Sequence, residues 1–232
     1  MIKGYIFDYG GTLDTAGCHW GKMLWHAYQK MGMPIREQQF RDAYVYAERT
    51  LGRNPIIQTS YDFHKTLSIK IRLEMEYLCI NGFWDADEVT FKDKHQAVLE
   101  YLYSRVKQIT GHSKEVLEKL HANYPLVLVS NFYGNIHIVL EEFGLSHLFQ
   151  DVVESAVVGI RKPDCRIFSL GVEKLEMKPE EVMVVGDSFY KDVEPAKKAG
   201  CKATWFKGEG WTETTYDETI PDKIISDLDQ LL

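Results

Sequence analysis

The stretch from Met1 to Asp14, MIKGYIFDYGGTLD, decides how this chain folds. Its residues Ile2 to Phe7 form a short apolar run, the pattern of a buried parallel strand. The run ends in Asp8, at the point where an open α/β sheet binds its ligands. Gly10 and Gly11 follow, and glycine lets the backbone turn tightly and bring N–H groups close to an anion. A turn capped by Asp8 alone explains the same residues.

Three later stretches repeat the theme of polar residues that follow an apolar run. The segment Val127–Asn131, VLVSN, ends in a small hydroxyl residue and an amide. The segment Arg161–Asp164, RKPD, places a lysine just before a predicted helix start. The segment Val182–Ser188, VMVVGDS, again ends in an acid, and Asp192 lies five residues beyond that acid.

The four motifs, in this order, resemble those of the haloacid dehalogenase-like hydrolase superfamily. The resemblance covers residues 1–14 and 111–232. It implies an α/β fold in which a Rossmann-like, doubly wound parallel sheet forms the core. It also implies an all-α helical-bundle cap domain, inserted after the first motif.

The pattern along the chain fits that organisation. Between Trp20 and Lys107 the periodicity is helical, whereas strand and helix patterns alternate afterwards, as expected for a parallel sheet covered on both faces. We therefore predict a core domain of residues 1–15 and 110–232 and a helical cap domain of residues 16–109. Separate helices are predicted at Lys94–Val106 and Lys114–Leu120. The polar segment Gly208–Asp222 is predicted to be a surface loop.

The composition is that of a globular protein, with 45% apolar and 26% charged residues in 232. That length suits one large domain or two modest ones. The formal net charge of −7 argues against a general nucleic-acid binder and against attraction to anionic lipid. No apolar run approaches the roughly 20 residues that span a bilayer. We therefore expect neither nucleic acid nor a membrane as a partner.

The four cysteines are scattered and form no CxxC pair. We therefore expect no disulfide framework and no zinc site, and a reducing, cytoplasmic location. The chain enters a predicted strand almost at its first residue, which leaves no room for a signal peptide. The cysteines are Cys18, Cys79, Cys165 and Cys201.

The resemblance implies that Asp8 is a nucleophile that forms an aspartyl-phosphate. It gives the metal ligands as Asp8, the backbone carbonyl of Gly10 and Asp187, while Asp192 supports the metal shell or orients the lysine. Two carboxylates and a phosphate cannot approach one another without a cation, and Mg²⁺ prefers oxygen ligands. Mg²⁺ is the implied cofactor, and a small phosphorylated molecule is the implied substrate.

Lys162 and Ser130 are the other implied catalytic residues. Lys162 would neutralise charge on the transferring group and on the nucleophile. Ser130, with backbone N–H groups around Gly11 and Asn131, would hydrogen-bond the phosphoryl oxygens.

Thr12 and His19 are further candidates for substrate binding, although each also has an ordinary structural explanation. The Thr12 hydroxyl either contacts the substrate or only binds its own turn. His19 lies just beyond the motif, on the predicted hinge to the cap. It either donates a proton near neutral pH or is an ordinary hinge residue.

The first motif departs from the superfamily pattern Asp-x-Asp-Gly-Thr at Gly10. In phosphatases of the superfamily the second Asp protonates the leaving oxygen, and general acid catalysis contributes about 10²–10⁴-fold. The next acid along the chain also comes one residue early, as Asp14. Loss of the acid favours acyl phosphates, aryl phosphates and pyrophosphates, whose leaving groups are less demanding of a proton than an alkoxide.

Four functions remain open from the sequence. The first is a phosphatase that favours good leaving groups or takes its acid from elsewhere. The second is a metal-independent 2-haloacid dehalogenase-like hydrolase, because halide leaves without a proton. The third is a phosphonatase-like hydrolase with a Schiff base on a cap lysine, such as Lys22 or Lys30. The fourth is a non-catalytic phosphate-binding protein. The Gly-Asp-Ser motif with Asp192 argues against the dehalogenase, and we favour the phosphatase.

Overall fold

The computed structural model describes residues 1–232, and a six-stranded parallel sheet forms the centre of the molecule. The strand order is 3-2-1-4-5-6, and every neighbouring pair is parallel. This is the doubly wound order of Rossmann-like folds, so the predicted fold class is confirmed. The strands are β1 Gly4–Phe7, β2 Leu126–Ser130, β3 Asp151–Glu154, β4 Val182–Gly186, β5 Lys202–Phe206 and β6 Lys223–Ile225.

Helices cover both faces of the sheet, because alternate strand residues point to opposite sides. Ile6 and Val127 belong to one buried apolar cluster, whereas their neighbours Phe7 and Leu128 belong to another. Continuous apolar runs such as VLV in β2 follow from burial on both faces. The helices after β2 are α5 Ile136–Glu142, α6 Ser155–Val158, α7 Arg166–Leu175 and α8 Glu194–Lys198.

Between β1 and β2 every regular element is a helix, and the segment predicted as the cap is called the cap below. Side chains cap three of its four helices: His19, Asp62 and Asp87 each accept a hydrogen bond from an N–H in the first turn. The apolar faces of these helices pack together, and the buried side chains of the second and third interlock. The helices are α1 Trp20–Lys30, α2 Glu37–Arg53, α3 Phe63–Ile80 and α4 Glu88–His121.

Helix α4 corrects one prediction. The two short helices expected at Lys94–Val106 and Lys114–Leu120 are parts of a single 34-residue helix, about 50 Å long. Gly111 lies within it, because one glycine in a helix interior costs only about 1 kcal/mol relative to alanine and does not by itself end the helix. Beside it the Ser113 hydroxyl donates to the Leu13 carbonyl at 2.8 Å. One rigid rod therefore connects the helical bundle to the core.

The predicted surface loop after β5 contacts the cap. Trp211 inserts against α1 and α2, with its ring centroid 5.1 Å from that of His19 and 4.9 Å from that of Tyr44. The Arg41 guanidinium lies 4.2 Å from the Trp211 ring centroid. A side chain at Gly21 would overlap that ring, so the glycine permits the contact. This loop ties the core to the cap.

No helix of the chain combines the length and the apolar character that crossing a bilayer requires.

Candidate active site

The ends of three adjacent strands bring the predicted catalytic residues together. Asp8 follows β1, Ser130 closes β2, and Asp187 follows β4. Because β1 pairs with both β2 and β4, with Phe7 opposite Leu128 and Val185, their carboxyl ends meet at one edge. Ligands of open α/β sheets bind at this edge.

Lys162 lies between two carboxylates. Its Nζ is 2.7 Å from Asp8 Oδ1 and 2.7 Å from Asp192 Oδ1, and its side chain is only 2% exposed. The Asn131 side chain holds the lysine backbone in place: its Nδ2 donates to the Lys162 carbonyl at 3.1 Å, and its Oδ1 accepts from the Lys162 N–H at 2.9 Å. Although burial opposes the charge, the two carboxylates raise the pKa of Lys162, so the ammonium stays charged.

Ser130 and the backbone of Asn131 line the cleft with unused donors. The Ser130 hydroxyl makes no hydrogen bond within the protein, and the Asn131 N–H has no backbone acceptor. The Asn131 side chain, by contrast, is fully engaged with Lys162. The expectation that Asn131 offers a backbone donor to an anion therefore stands as a prediction.

Thr12 supports the carboxylates instead of facing the cleft. Its hydroxyl lies 3.2 Å from Asp8 Oδ2 and 3.3 Å from Asp187 Oδ1, and it accepts a hydrogen bond from the Asp187 N–H at 3.0 Å. The residue is fully buried and is not part of the cleft wall. The expectation that Thr12 binds substrate is therefore corrected, and it orients the two acids.

Gly11 also differs from the expectation that its N–H binds a phosphoryl oxygen. The Asp14 carboxylate already accepts that N–H at 2.7 Å. Gly11 has φ +104°, and a Cβ there would overlap the Asp187 carboxylate. Glycine is required at this position because it lets the first turn approach Asp187.

The carboxylates outnumber the cation in this buried site. Oxygens of Asp8, Asp187 and Asp192 lie within 4.8 Å of one another, with Lys162 as their one ion-pair partner. Burial raises the pKa of Asp8 to about 6 in spite of Lys162. Burial and the neighbouring acids raise the pKa of Asp187 well above its usual range. A second positive charge would relieve this repulsion.

The donor set fits a hard divalent cation such as Mg²⁺. The available atoms are all oxygens, which is the ligand type that Mg²⁺ prefers. The Gly10 carbonyl accepts no hydrogen bond within the protein, and Gly10 lines the cleft. Asp192 is less free, because its Oδ1 binds Lys162 and its Oδ2 accepts the Ser188 N–H at 3.0 Å. That arrangement favours the lysine-orienting role for Asp192.

The cleft has a floor from the core and a roof from the cap. Its cavity volume is about 140 Å³, close to the roughly 150 Å³ that accommodates benzene in an engineered protein cavity. A ligand enclosed there is therefore small. The cap contributes its roof, mostly aromatic and charged side chains: Trp20, Tyr44, Glu48, Phe63, Thr66, Leu67 and Lys70.

His19 lies in the cleft wall as predicted, but it is not an acid at neutral pH. Its Nδ1 accepts the Gly21 N–H at 3.0 Å as the cap of α1, which leaves the proton on Nε2. Burial and nearby lysines lower the pKa of His19 to about 4. The ring is therefore neutral near pH 7 and offers one N–H donor.

The acid missing at Gly10 is not replaced at residue 10, although the Asp14 carboxyl lines the same cleft. A Cβ on Gly10 would have the Trp20 indole 3.9 Å away, an ordinary van der Waals contact. The same indole N–H donates to Asp14 Oδ2 at 2.9 Å. Burial raises the pKa of Asp14 to about 7, and the residue is only 1% exposed.

Sequence reasoning missed the charged residues of the roof. Glu48 and Lys70 line the cleft, whereas Lys22 and Lys30, the two lysines considered for a Schiff base, do not. The signal was present in α3, where Lys70 and Glu74 occupy positions of the otherwise apolar stripe that includes Leu67. A charged residue on a buried stripe needs a partner or a function.

Comparison with known proteins agrees with the geometry. A family model described as haloacid dehalogenase-like hydrolase matches residues 5–206. A phosphoglycolate phosphatase of Vibrio parahaemolyticus is 31% identical over 205 residues, which cover 86% of this chain and 81% of that protein. A glyceraldehyde 3-phosphate phosphatase of Pyrococcus furiosus is 29% identical over 170 residues, which cover 69% of this chain but only 64% of that protein.

Among solved structures, the L-2-haloacid dehalogenase of Xanthobacter autotrophicus superposes with a TM-score of 0.60 at 21% identity. The superposition covers 100% of this chain and 97% of the dehalogenase. At that identity the likeness concerns the fold.

Proposed function

The chain belongs to the haloacid dehalogenase-like hydrolase family, and we propose that it is a Mg²⁺-dependent phosphatase that acts on a small phosphorylated metabolite through an aspartyl-phosphate on Asp8. Relatives named as phosphatases support a hydrolase of phosphate esters. We further propose that residues 16–109 act as the cap over the site.

The four cysteines are all free, which supports a reducing, cytoplasmic location.

The observation that carries the proposal is the excess of carboxylates in the floor of the cleft, where Lys162 is the one cation paired with them. Asp8, Asp187 and Asp192 converge there, and burial raises the pKa values of the first two. Such an arrangement is unfavourable until a cation enters, while the unused donors of Ser130 and Asn131 are left for an anionic ligand. A phosphate ester with a divalent metal satisfies both needs.

Asp8 is the nucleophile of the proposed reaction. One of its carboxylate oxygens forms a bond to phosphorus while the bond from phosphorus to the leaving oxygen breaks, and water then hydrolyses the aspartyl-phosphate to release phosphate. Lys162 holds Oδ1 of Asp8, and Thr12 holds Oδ2, so the carboxylate is oriented before the substrate arrives. Ser130 Oγ–H and the Asn131 N–H donate to the phosphoryl oxygens.

Asp8, the Gly10 carbonyl and Asp187 would hold the Mg²⁺. When bound, the ion would supply positive charge that offsets these carboxylates and the charge of the phosphoryl group. Asp192 keeps Lys162 directed at the phosphoryl site through their 2.7 Å contact. Thr12 fixes the spacing of the two acidic ligands.

The leaving group receives no proton from residue 10, because Gly10 has no side chain. We therefore expect faster turnover of esters whose leaving groups are weak bases. The phosphonatase-like alternative lacks support in this site. Lys70 is the cap lysine that lines the cleft, and its partner Glu48 raises the pKa of Lys70 well above its usual range, so the free amine that a Schiff base needs is scarce.

An aryl phosphate assay tests the proposal. We expect Mg²⁺-dependent release of the phenol by the wild-type protein, and its loss both with a chelator and in Asp8→Asn. Equal release by wild type and Asp8→Asn would contradict the proposal. Chloride release from a 2-haloacid without metal would instead support the dehalogenase, which Gly10 also permits because halide leaves unprotonated.

A further inference from the structure

The roof of the cleft contains an ion pair that the proposed chemistry does not use. Lys70 Nζ in α3 lies 2.6 Å from Glu48 Oε1 in α2, and both residues line the cleft that contains Asp8. Aromatic rings surround the ammonium: its Nζ is 4.8 Å from the Tyr44 ring centroid and 5.6 Å from that of Trp20. The Lys70 side chain is only 10% exposed.

Fold stability does not explain this pair. Replacing a buried ion pair with apolar residues of similar volume is often neutral for fold stability or even stabilising, because desolvation of the two charges offsets their attraction. Apolar partners would serve the helical bundle equally well, as they do at Leu67 and Ile71 of the same stripe. The pair instead borders the empty space above the catalytic residues.

Each partner keeps hydrogen-bonding capacity for a ligand. A lysine ammonium has three donors, and Glu48 is the one polar group of the protein that Lys70 binds. Glu48 Oε1 also accepts the Tyr133 hydroxyl at 3.3 Å, whereas Oε2 makes no hydrogen bond, and the Glu48 side chain is 32% exposed. The roof therefore presents a free cationic donor beside a free anionic acceptor.

The rim and the size of the cleft limit what binds there. Arg161 and Lys191 line the cleft, are exposed and form no ion pair, so they attract an anion towards the opening. The cavity of about 140 Å³ leaves little room once a phosphoryl group occupies the floor. The part of the substrate that meets the roof is therefore small and polar.

We propose that Lys70 and Glu48 are the specificity-determining pair of this enzyme. Lys70 donates to a carboxylate on the leaving alcohol, and Glu48 accepts from an ammonium or hydroxyl group on the same alcohol. The substrate class is thus a small phosphate ester of an amino acid or a hydroxy acid, whose alkoxide leaving group is expected to turn over more slowly than an aryl one because residue 10 supplies no proton. The inference rests on the proposed phosphatase function and adds the class of its substrate.

A panel of four phosphate esters tests the pair. Phosphoserine offers both an acceptor and a donor, phosphoglycolate only the acceptor, phosphoethanolamine only the donor, and ethyl phosphate neither. We expect wild-type kcat/KM to be highest for phosphoserine and lowest for ethyl phosphate, because a hydrogen bond to a charged group gives on the order of 10- to 100-fold.

Two variants assign the two interactions. Lys70→Met is expected to lower the ratio of kcat/KM for phosphoglycolate to that for ethyl phosphate by about 10- to 100-fold, and Glu48→Gln to lower the phosphoethanolamine ratio similarly. Lys65→Met, on the exposed face of the same helix, is the matched control and leaves both ratios unchanged. Where Lys70→Met does not fold, the double variant Glu48→Gln/Lys70→Met removes both charges and is expected to lower both ratios.

Tyr133→Phe distinguishes substrate recognition by the pair from a role of the pair as a latch that holds the cap to the core. Tyr133 lies in the core, and its hydroxyl donates to Glu48 across the cleft. If the pair were only a latch, the Lys70 and Glu48 variants would lower kcat/KM equally for all four esters, as Tyr133→Phe would. That result would overturn the inference. Hydrolysis of an aryl phosphate together with equal kcat/KM for all four esters would refute the role of the pair in specificity, but not the phosphatase function. No aryl phosphate hydrolysis at all would refute both.

Discussion

The floor and the roof of the cleft both contain buried charges, but their charge balance differs. In the floor, Lys162 faces the three acids Asp8, Asp187 and Asp192. In the roof, Glu48 neutralises Lys70, and burial raises the pKa of the nearby Glu74 to about 8, so that this acid is protonated near neutral pH. The floor therefore needs a cation from solution, whereas the roof is already balanced.

The comparison separates chemistry from recognition. Binding of a metal and a phosphate stabilises the unbalanced floor, and the same charges are then in place for catalysis. A balanced roof does not attract a metal, and its paired charges discriminate between ligands by hydrogen bonding. Variants of the floor should therefore leave discrimination between substrates intact, and variants of the roof should leave metal binding intact.

The largest expected effect comes from removing a floor acid. Asp187→Asn takes away one metal ligand, so we expect kcat/KM for an aryl phosphate to fall by at least about 10³-fold. The increase in Tm on adding Mg²⁺ should disappear as well, because binding to the folded state is lost. Asp42→Asn, an exposed acid of α2, is the control and should keep both. An unchanged Mg²⁺-induced Tm increase in Asp187→Asn would show that the floor does not hold the ion.

The next prediction concerns the pH dependence of stability that arises from Glu74, the buried acid near the roof. Its folded-state pKa of about 8 exceeds the ordinary 4.5, so its contribution to stability is complete below pH 4.5 and is lost as the pH rises through about 8. The slope is at most about 1.4 kcal/mol per pH unit. Glu74→Gln should flatten this part of the dependence, measured as the free energy of unfolding in urea between about pH 5 and pH 8.

Metal-free protein is required for that comparison, because Asp8 also titrates in this range, with a pKa raised to about 6. The difference between wild type and Glu74→Gln isolates the roof contribution, since Asp8 is common to both. Parallel curves for the two proteins would contradict a protonated Glu74.

A smaller effect is expected from restoring an acid to the floor. Gly10→Asp places a carboxyl group beside the Trp20 indole, where the nearest atoms lie 3.9 Å from the new Cβ. We expect kcat/KM for an alkyl phosphate to rise by about tenfold or more, because the leaving oxygen gains a proton donor. Gly10→Asn has the same size without the acid and should show no gain. Equal gains in both variants would indicate a steric cause.

The smallest effect concerns the contact that holds the roof over the floor. Trp211→Ala removes the ring that packs on Arg41, Tyr44 and His19. We expect KM to rise by about two- to fivefold with kcat nearly unchanged, from the loss of one cation–π and stacking contact. Thr214→Ala, in the same loop, serves as the control. A fall in kcat without a change in KM would place Trp211 in the chemistry.

The sequence predicted the floor because backbone topology positions it. Asp8, Ser130 and Asp187 each stand at the end of an apolar run, and parallel strands bring such ends to one edge. Their side chains needed no further information to be placed together. The partner of Thr12, Asp187, was not predicted because the two residues meet only through tertiary packing that no local pattern encodes. The Gly11 N–H differs, because its acceptor Asp14 is only three residues away and the contact is local.

The roof was not predicted because it depends on how helices pack. Lys70 meets Glu48 only when α3 lies against α2 with a given rotation, and residue spacing within either helix does not fix that rotation. The same holds for Trp211, whose loop has the composition of an ordinary surface turn. The sequence predicts two helices where the structure has the continuous helix α4, and Gly111 lies inside it.

We expect Asp8, in the unbalanced floor, to act as a nucleophile towards phosphorus. Acid quenching of the enzyme during turnover of an aryl phosphate, followed by mass spectrometry of its peptides, tests this directly. We predict one phosphoryl group on the peptide that contains Asp8, present with Mg²⁺ and absent with a chelator or in Asp8→Asn. Turnover with no phosphoryl group on that peptide, or with one on a different residue, would contradict the account.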